Sequence, residues 1–156
     1  ANHSGYTLKI IGICRDELFH KYQALIGQYG IGDRVFFPNK FYSDTELVSV
    51  VKDCHIGIAL YDTGKLNATY YTDPGKVKTY AELGLPIVMS NTSAVVPYVK
   101  RFRCGEVVEF NEENLERSLL KTEKNYTQYQ EGLGRFNRYF DYTTYYRQRF
   151  TTLENL

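Results

Sequence analysis

Residues 70–90 read YYTDPGKVKTYAELGLPIVMS, and this stretch predicts a turn, a helix and a buried strand in that order. Pro74 suits the first helical turn, because its missing N–H would have no helical partner there. Gly84 suits the left-handed position just beyond a helix end, and the apolar run after Pro86 is typical of a buried strand. The stretch therefore predicts a helix over residues 74–83 that leads into a strand over residues 86–90.

The start of this helix is suited to an anion. Gly75 lets a ligand approach the backbone closely, and the first-turn amides form the positive end of the helix dipole. Lys76 adds a positive charge beside them. The turn therefore predicts an anion site, and a phosphate group in particular. Many solvated helices also begin in this way, so a purely structural turn is the alternative.

Strand-like and helix-like patterns alternate along the rest of the chain. Ser43 and Glu46 match a capping box at the start of the second helix, and Leu115, Leu119 and Leu120 are expected to be buried by the fifth. Such alternation predicts an α/β fold with an open, doubly wound, mostly parallel sheet, which binds ligands at the carboxyl ends of its strands. The apolar runs of strand type are 6–12, 34–37, 55–61, 86–90 and 106–110.

The last segment is unusually aromatic and predicts a long C-terminal helix. We expect it to form a separate helical segment, residues 125–156, that packs on a Rossmann-like domain of residues 1–124. Most of the rings would then pack as a stripe on the domain, with their phenol hydroxyl groups exposed to solvent. The alternative is that part of this stripe binds a partner protein or a missing domain. The aromatic residues are Tyr126, Tyr129, Phe136, Tyr139, Phe140, Tyr142, Tyr145, Tyr146 and Phe150.

Composition excludes several classes of protein. A net charge of +1 over 156 residues does not indicate a nucleic-acid surface. Three widely separated cysteines fit reduced thiols, and the three histidines lack metal-ligand spacing, so we expect no metal. Neither a signal peptide nor an apolar run long enough to span a bilayer is present. These features predict a cytoplasmic location, either free in the cytoplasm or at the inner face of the membrane.

In their order and spacing, several segments resemble the C-terminal, nucleotide-sugar-binding half of GT-B glycosyltransferases, closest to the group 1 (GT4-like) enzymes. The resemblance covers nearly the whole chain. It is strongest from Asp73-Pro74-Gly75-Lys76 through Tyr80 to the strand that follows Pro86. The other matching segments are 8–12, 32–37, 46–47, 53–60 and 105–108.

The resemblance implies a donor-binding domain of a hexosyltransferase in polysaccharide biosynthesis. Its substrate would be a nucleotide-diphosphate sugar, UDP- or GDP-linked, with no cofactor, and Lys76 would stabilise the leaving diphosphate during transfer to a saccharide or lipid-linked acceptor. The base would lie near Phe37, Pro38 and Asn39. The diphosphate would lie against Thr72, Asp73, Pro74, Gly75 and Lys76.

The chain departs from the family in two places. Many group 1 enzymes have two glutamates eight positions apart, and the matching residues are Tyr71, near the donor sugar, and Thr79, which can still bond a ribose hydroxyl. The family usually has a further strand, glycine-rich turn and helix at the start of this half, and this unit commonly carries an Arg and a Lys that neutralise the diphosphate. The family also has an N-terminal domain that binds the acceptor. Both are expected to be absent from this chain, so the fragment alone is expected to be inactive.

The replaced acids also leave a second hypothesis open. In it the chain is a non-catalytic, glycosyltransferase-like binding or interaction module whose aromatic helix binds a protein. Receiver and nicotinamide-binding domains are weaker alternatives. The first strand lacks a following acidic pair, and Gly12 does not begin a glycine-rich dinucleotide fingerprint.

Overall fold

The computed structural model describes residues 5–61, 68–109 and 111–141, together with Thr143, Arg147 and Thr151. Contacts between Cα atoms divide the chain into two compact units, with the boundary between Asp53 and Cys54. We call them unit 1 and unit 2 and describe each by itself. The predicted division into residues 1–124 and 125–156 stays a prediction.

Unit 1 contains two short parallel strands and two helices. Strand β1 pairs with β2, with Leu8 opposite Val35. The predicted capping box is present at the start of α2, where the Ser43 hydroxyl accepts from the Glu46 amide and the Glu46 carboxylate accepts from the Ser43 amide. The elements are β1 (Leu8–Lys9), α1 (Asp16–Gln28), a 3₁₀ turn (Gly32–Arg34), β2 (Val35–Phe36) and α2 (Asp44–Val51).

Unit 2 is a three-stranded parallel sheet surrounded by helices. Its strands are β3 (Gly57–Ala59), β4 (Ile87–Ser90) and β5 (Gly105–Val108), and they are paired in the order β3-β4-β5. The mixed α/β class with parallel strands is therefore confirmed. The helices are a short 3₁₀ helix (Ala68–Tyr71), α3 (Gly75–Glu82), α4 (Val96–Phe102), α5 (Glu112–Lys124) and α6 (Tyr126–Phe140).

The core of unit 2 lies between the sheet and helices α3, α4 and α6. Apolar side chains from the sheet and the three helices are removed from water there, which is the main force that holds these elements together. Helix α6 is also tied to α3 by a hydrogen bond from the Asn137 side-chain amide to the Ala81 carbonyl, 2.8 Å long. The fully buried side chains include Val77, Ile87, Met89, Val99, Leu133 and Phe136.

Two details of the helices differ from the expectation. Pro74 is the N-cap of α3, and the helix begins at Gly75 rather than at the proline. The end of the helix agrees with the prediction, since Gly84 has a left-handed conformation with φ +72°. The expectation that Leu120 is buried is wrong, because its side chain is 46% exposed and the buried residues of α5 are Ser118 and Thr122. The buried Thr122 hydroxyl donates to the Ser118 carbonyl at 2.7 Å, so this polar group has a partner within the helix.

All three cysteines are free thiols, and Cys104, directly before β5, is fully buried. Within the described ranges, His, Cys, Asp and Glu side chains form no group of three or more that could hold a metal ion. No helix of the described chain is both long and apolar enough to cross a membrane.

Unit 2 is expected to lose stability at alkaline pH because of Cys104. Burial raises the pKa of its thiol from the ordinary value of 9.0 to about 12. Between these pH values the unfolded chain releases a proton that the folded chain keeps, so the free energy of unfolding falls by up to about 1.4 kcal/mol per pH unit. Denaturant unfolding from pH 8 to 11 measures this slope, and Cys104→Ala should reduce it. An unchanged slope in that variant would contradict the assignment.

Candidate functional site

The start of α3 lies at the carboxyl edge of the unit 2 sheet. Helix α3 connects the parallel strands β3 and β4, so its first residues follow the carboxyl end of β3. The amide of Ala94, in the segment after β4, donates to the Thr72 carbonyl at 3.1 Å. This bond attaches the predicted phosphate-binding turn to the segment that follows β4, at the edge where parallel sheets bind ligands.

The first turn of α3 is open. The Pro74 carbonyl accepts from the Val77 amide at 3.0 Å, and no side chain of the N-cap bonds the helix start. The amides of Gly75 and Lys76 come earlier and have no carbonyl partner within a helix. A Cβ added to Gly75 would meet no described atom within 4 Å. Among the described residues, therefore, none crowds the side of the first turn at which Gly75 lacks a side chain.

The two lysines of this helix have different surroundings. The Lys78 ammonium lies 2.6 Å from the Asp73 carboxylate, so these charges balance one another. The Lys76 ammonium forms no ion pair with any described carboxylate and lies 4.7 Å from the centroid of the Tyr61 ring. Lys76 is therefore available to an anion. Asp73 faces Lys78, so its side chain is not suited to contact a phosphate directly.

The two positions predicted to match the glutamates of many group 1 enzymes are Tyr71 and Thr79, and neither is acidic. Tyr71 ends the short 3₁₀ helix and is 79% exposed. The Thr79 hydroxyl donates to the Gly75 carbonyl at 3.3 Å. Because that bond uses the hydroxyl proton, Thr79 can offer only its lone pairs to a ligand.

The three residues predicted to lie near the base belong to unit 1. The Phe37 ring is 8% exposed and packs edge-on against Phe19, with ring centroids 5.1 Å apart. The Asn39 side-chain oxygen accepts from the Cys14 amide at 2.8 Å. Phe37 and Asn39 thus stabilise unit 1 through these contacts, and Pro38 is half-buried. Their role in base binding stays a prediction.

The carboxyl edge also carries residues that the sequence prediction did not include. The Ser90 hydroxyl accepts from the Tyr61 amide at 2.8 Å and lies 3.2 Å from the Thr92 hydroxyl, and both hydroxyl side chains are fully buried. The sequence signal that could have identified this pair is Ser90, a serine at the end of an otherwise apolar strand. It marks a buried polar group that needs a partner.

The fold of this chain occurs in known glycosyltransferase structures. It matches the crystal structure of WaaG, a glycosyltransferase involved in lipopolysaccharide biosynthesis, with a TM-score of 0.58 and 21% identity over 87% of this chain and 34% of that chain. It also matches a sucrose-phosphate synthase from Thermosynechococcus elongatus, with a TM-score of 0.60 and 18% identity over 94% of this chain and 39% of that chain. No family model and no curated protein matches the sequence.

These likenesses show the fold alone. Both solved structures are GT-B glycosyltransferases, so the predicted resemblance in fold to the C-terminal GT-B half is confirmed. The chain spans 34% and 39% of the length of the two proteins.

Proposed function

We propose that this chain is the donor-binding domain of a glycosyltransferase and that the start of α3 binds the diphosphate of a nucleotide sugar. The observation that carries the proposal is the combination, at one sheet edge, of first-turn amides without a helical partner and a Lys76 ammonium that forms no ion pair with any carboxylate in the described part of the chain. The open space in front of Gly75 supports it. The fold shared with two glycosyltransferases supports the reaction class.

The chemistry of transfer explains why such a site is useful. When the glycosidic bond to the diphosphate breaks, negative charge accumulates on the leaving oxygen. Helix amides and a lysine already in place stabilise that charge without reorganising as the bond breaks. In this proposal the amides of Gly75 and Lys76 donate to the phosphate oxygens, and the Lys76 ammonium balances part of their charge.

The other parts of the reaction are assigned to residues outside this chain. An acceptor saccharide or lipid-linked acceptor, and any base that activates its hydroxyl, would be held by a separate domain. The isolated chain is therefore expected to bind the donor without transferring the sugar. The expectation agrees with the share of the two solved glycosyltransferases that the chain spans.

Titration with UDP, GDP, ADP and CMP, followed by amide NMR, tests the proposal. We expect UDP or GDP to shift the amide signals of Thr72, Asp73, Gly75 and Lys76 selectively, and the preferred nucleotide identifies the base. Shifts at Pro38's neighbours, Phe37 and Asn39, would support the base prediction as well. If no nucleotide shifts residues 72–76, the phosphate assignment is wrong.

Lys76→Ala is expected to weaken nucleoside diphosphate binding by about 1–3 kcal/mol, because a charged hydrogen-bond donor to phosphate is lost. The matched control is Lys100→Ala, which removes the same charge from the last turn of α4 and should leave affinity unchanged.

Gly75→Val places a branched side chain beside the first-turn amides and should weaken nucleoside diphosphate binding at least as much as Lys76→Ala does. Isothermal titration calorimetry measures the affinity of all three variants for the nucleoside diphosphate. If Lys76→Ala binds with wild-type affinity, Lys76 has no role in phosphate binding.

A non-catalytic binding module is the second candidate. Tyr71 and Thr79 favour it, because neither supplies the carboxylate that many group 1 enzymes have at the matching position. The Thr79 hydroxyl is also bonded within its own helix. Donor hydrolysis or transfer by the full-length protein discriminates between the two candidates. Turnover supports the enzyme, whereas donor binding without any turnover supports the module.

A further inference from the structure

We propose that Tyr61 is a positioning residue that holds the Lys76 ammonium in place for the diphosphate. The inference rests on the proposed function, because it assigns a partner to the lysine of that site. Tyr61 touches Lys76 and is not required to touch the ligand.

The backbone of Tyr61 is held by the end of the next strand. Its amide donates to the Ser90 hydroxyl, and Ser90 is fully buried beside Thr92. The Tyr61 ring packs against the core of unit 2. Tyr61 is therefore attached to the sheet both through its backbone and through its ring, and it presents a fixed surface to Lys76.

A ring is a suitable partner for a lysine that must bind an anion. The Lys76 ammonium lies 4.7 Å from the Tyr61 ring centroid, within the range of a cation–π interaction. The neutral ring attracts the ammonium but leaves its charge uncancelled, unlike the carboxylate that pairs with Lys78. N–H groups directed away from the ring remain available as donors.

Holding the side chain beforehand also favours binding. A free lysine loses much rotamer freedom when a ligand immobilises it, and this loss opposes association. Contact with Tyr61 limits that freedom before the ligand arrives. Removing the ring should therefore weaken diphosphate binding even though no ligand contact is removed.

The arrangement can be tested without ligand by NMR of the chain after reductive ¹³C-methylation of its lysines, which keeps their charge. The Lys76 methyl signal, identified by its loss in Lys76→Arg, should be shifted upfield by the Tyr61 ring. Tyr61→Phe should keep the shift, and Tyr61→Leu should remove it. A Lys76 signal that is the same in wild type and Tyr61→Leu would overturn the inference.

Affinity for UDP, GDP and pyrophosphate then tests the consequence for binding. Tyr61→Leu should weaken binding about 2–5-fold, the range expected for an exposed cation–π contact, and Tyr61→Phe should bind like wild type. Combined with Lys76→Ala, Tyr61→Leu should have no further effect. Thermal unfolding of each variant serves as the control for folding, because a cooperative transition shows that a change in affinity does not come from loss of the folded unit 2.

The outcomes separate this inference from the proposed function. If Lys76→Ala weakens binding but Tyr61→Leu binds as wild type or more tightly, the positioning role is wrong and the phosphate site stands. If Lys76→Ala itself has no effect, the phosphate assignment is wrong and the positioning role is overturned with it.

Discussion

Phe136→Ala is expected to lower the free energy of unfolding of unit 2 by about 3–5 kcal/mol. Phe136 is fully buried on α6 and contacts two further rings, with its centroid 4.6 Å from that of Phe140 and 6.2 Å from that of Phe102. Truncation removes the apolar surface of the ring and leaves a cavity where α6 packs against α4. Denaturant unfolding followed by circular dichroism measures the loss.

The control for Phe136 is an aromatic residue of the same unit that is exposed. Tyr71→Ala removes a ring that is mostly in water and should change the free energy of unfolding by less than about 0.5 kcal/mol. Similar losses in the two variants would contradict the packing of α6 on unit 2. Phe136→Leu, which refills part of the cavity, should fall between them.

Gly132→Ala is expected to destabilise unit 2 by about 3 kcal/mol, the upper part of the range for overpacking. A Cβ at this position would lie 2.6 Å from the Phe102 carbonyl oxygen and closer still to that of Arg103. Both obstacles are backbone at the end of α4, so they cannot move aside as a flexible side chain would. Helix α6 has to shift away from α4 to accommodate one methyl group.

The same helix supplies a matched control for Gly132. A Cβ added to Gly134 would meet no described atom within 4 Å, so Gly134→Ala should stabilise the helix by roughly 0.5–1 kcal/mol. The two variants contain the same chemical change two residues apart and should shift the melting temperature in opposite directions. Shifts of equal sign would show that α6 does not approach α4 so closely.

Much of the fold could be predicted because its signals are local. The capping box at Ser43, the left-handed Gly84 and the strand after Pro86 each depend on neighbouring residues, and all are present. The burial of α5 could not be predicted so well. Apolar spacing favoured Leu120, whereas the buried residues of the helix are Ser118 and Thr122. Which side of a helix is buried depends on how other elements pack against it, and the apolar spacing of one helix does not contain that information.

The candidate site was predictable in part for the same reason. Residues 72–76 are adjacent in sequence, so one motif indicates all of them. The partners of their side chains come from the fold. Nothing in the spacing indicated that Lys78 pairs with Asp73 whereas Lys76 lies on Tyr61, 15 positions earlier in the chain.

Attachment of α3 to α6 has a consequence for any attempt to graft this site into a chimeric protein. Helix α3 has 8 residues, and isolated helices shorter than about 12–15 residues are marginal in water. Core packing and the hydrogen bond from Asn137 to the Ala81 carbonyl connect it to a helix more than 40 residues downstream. A transplantable module would therefore have to extend through α6 to Phe140, since a cut at Lys124 would remove the support of the helix that carries Lys76.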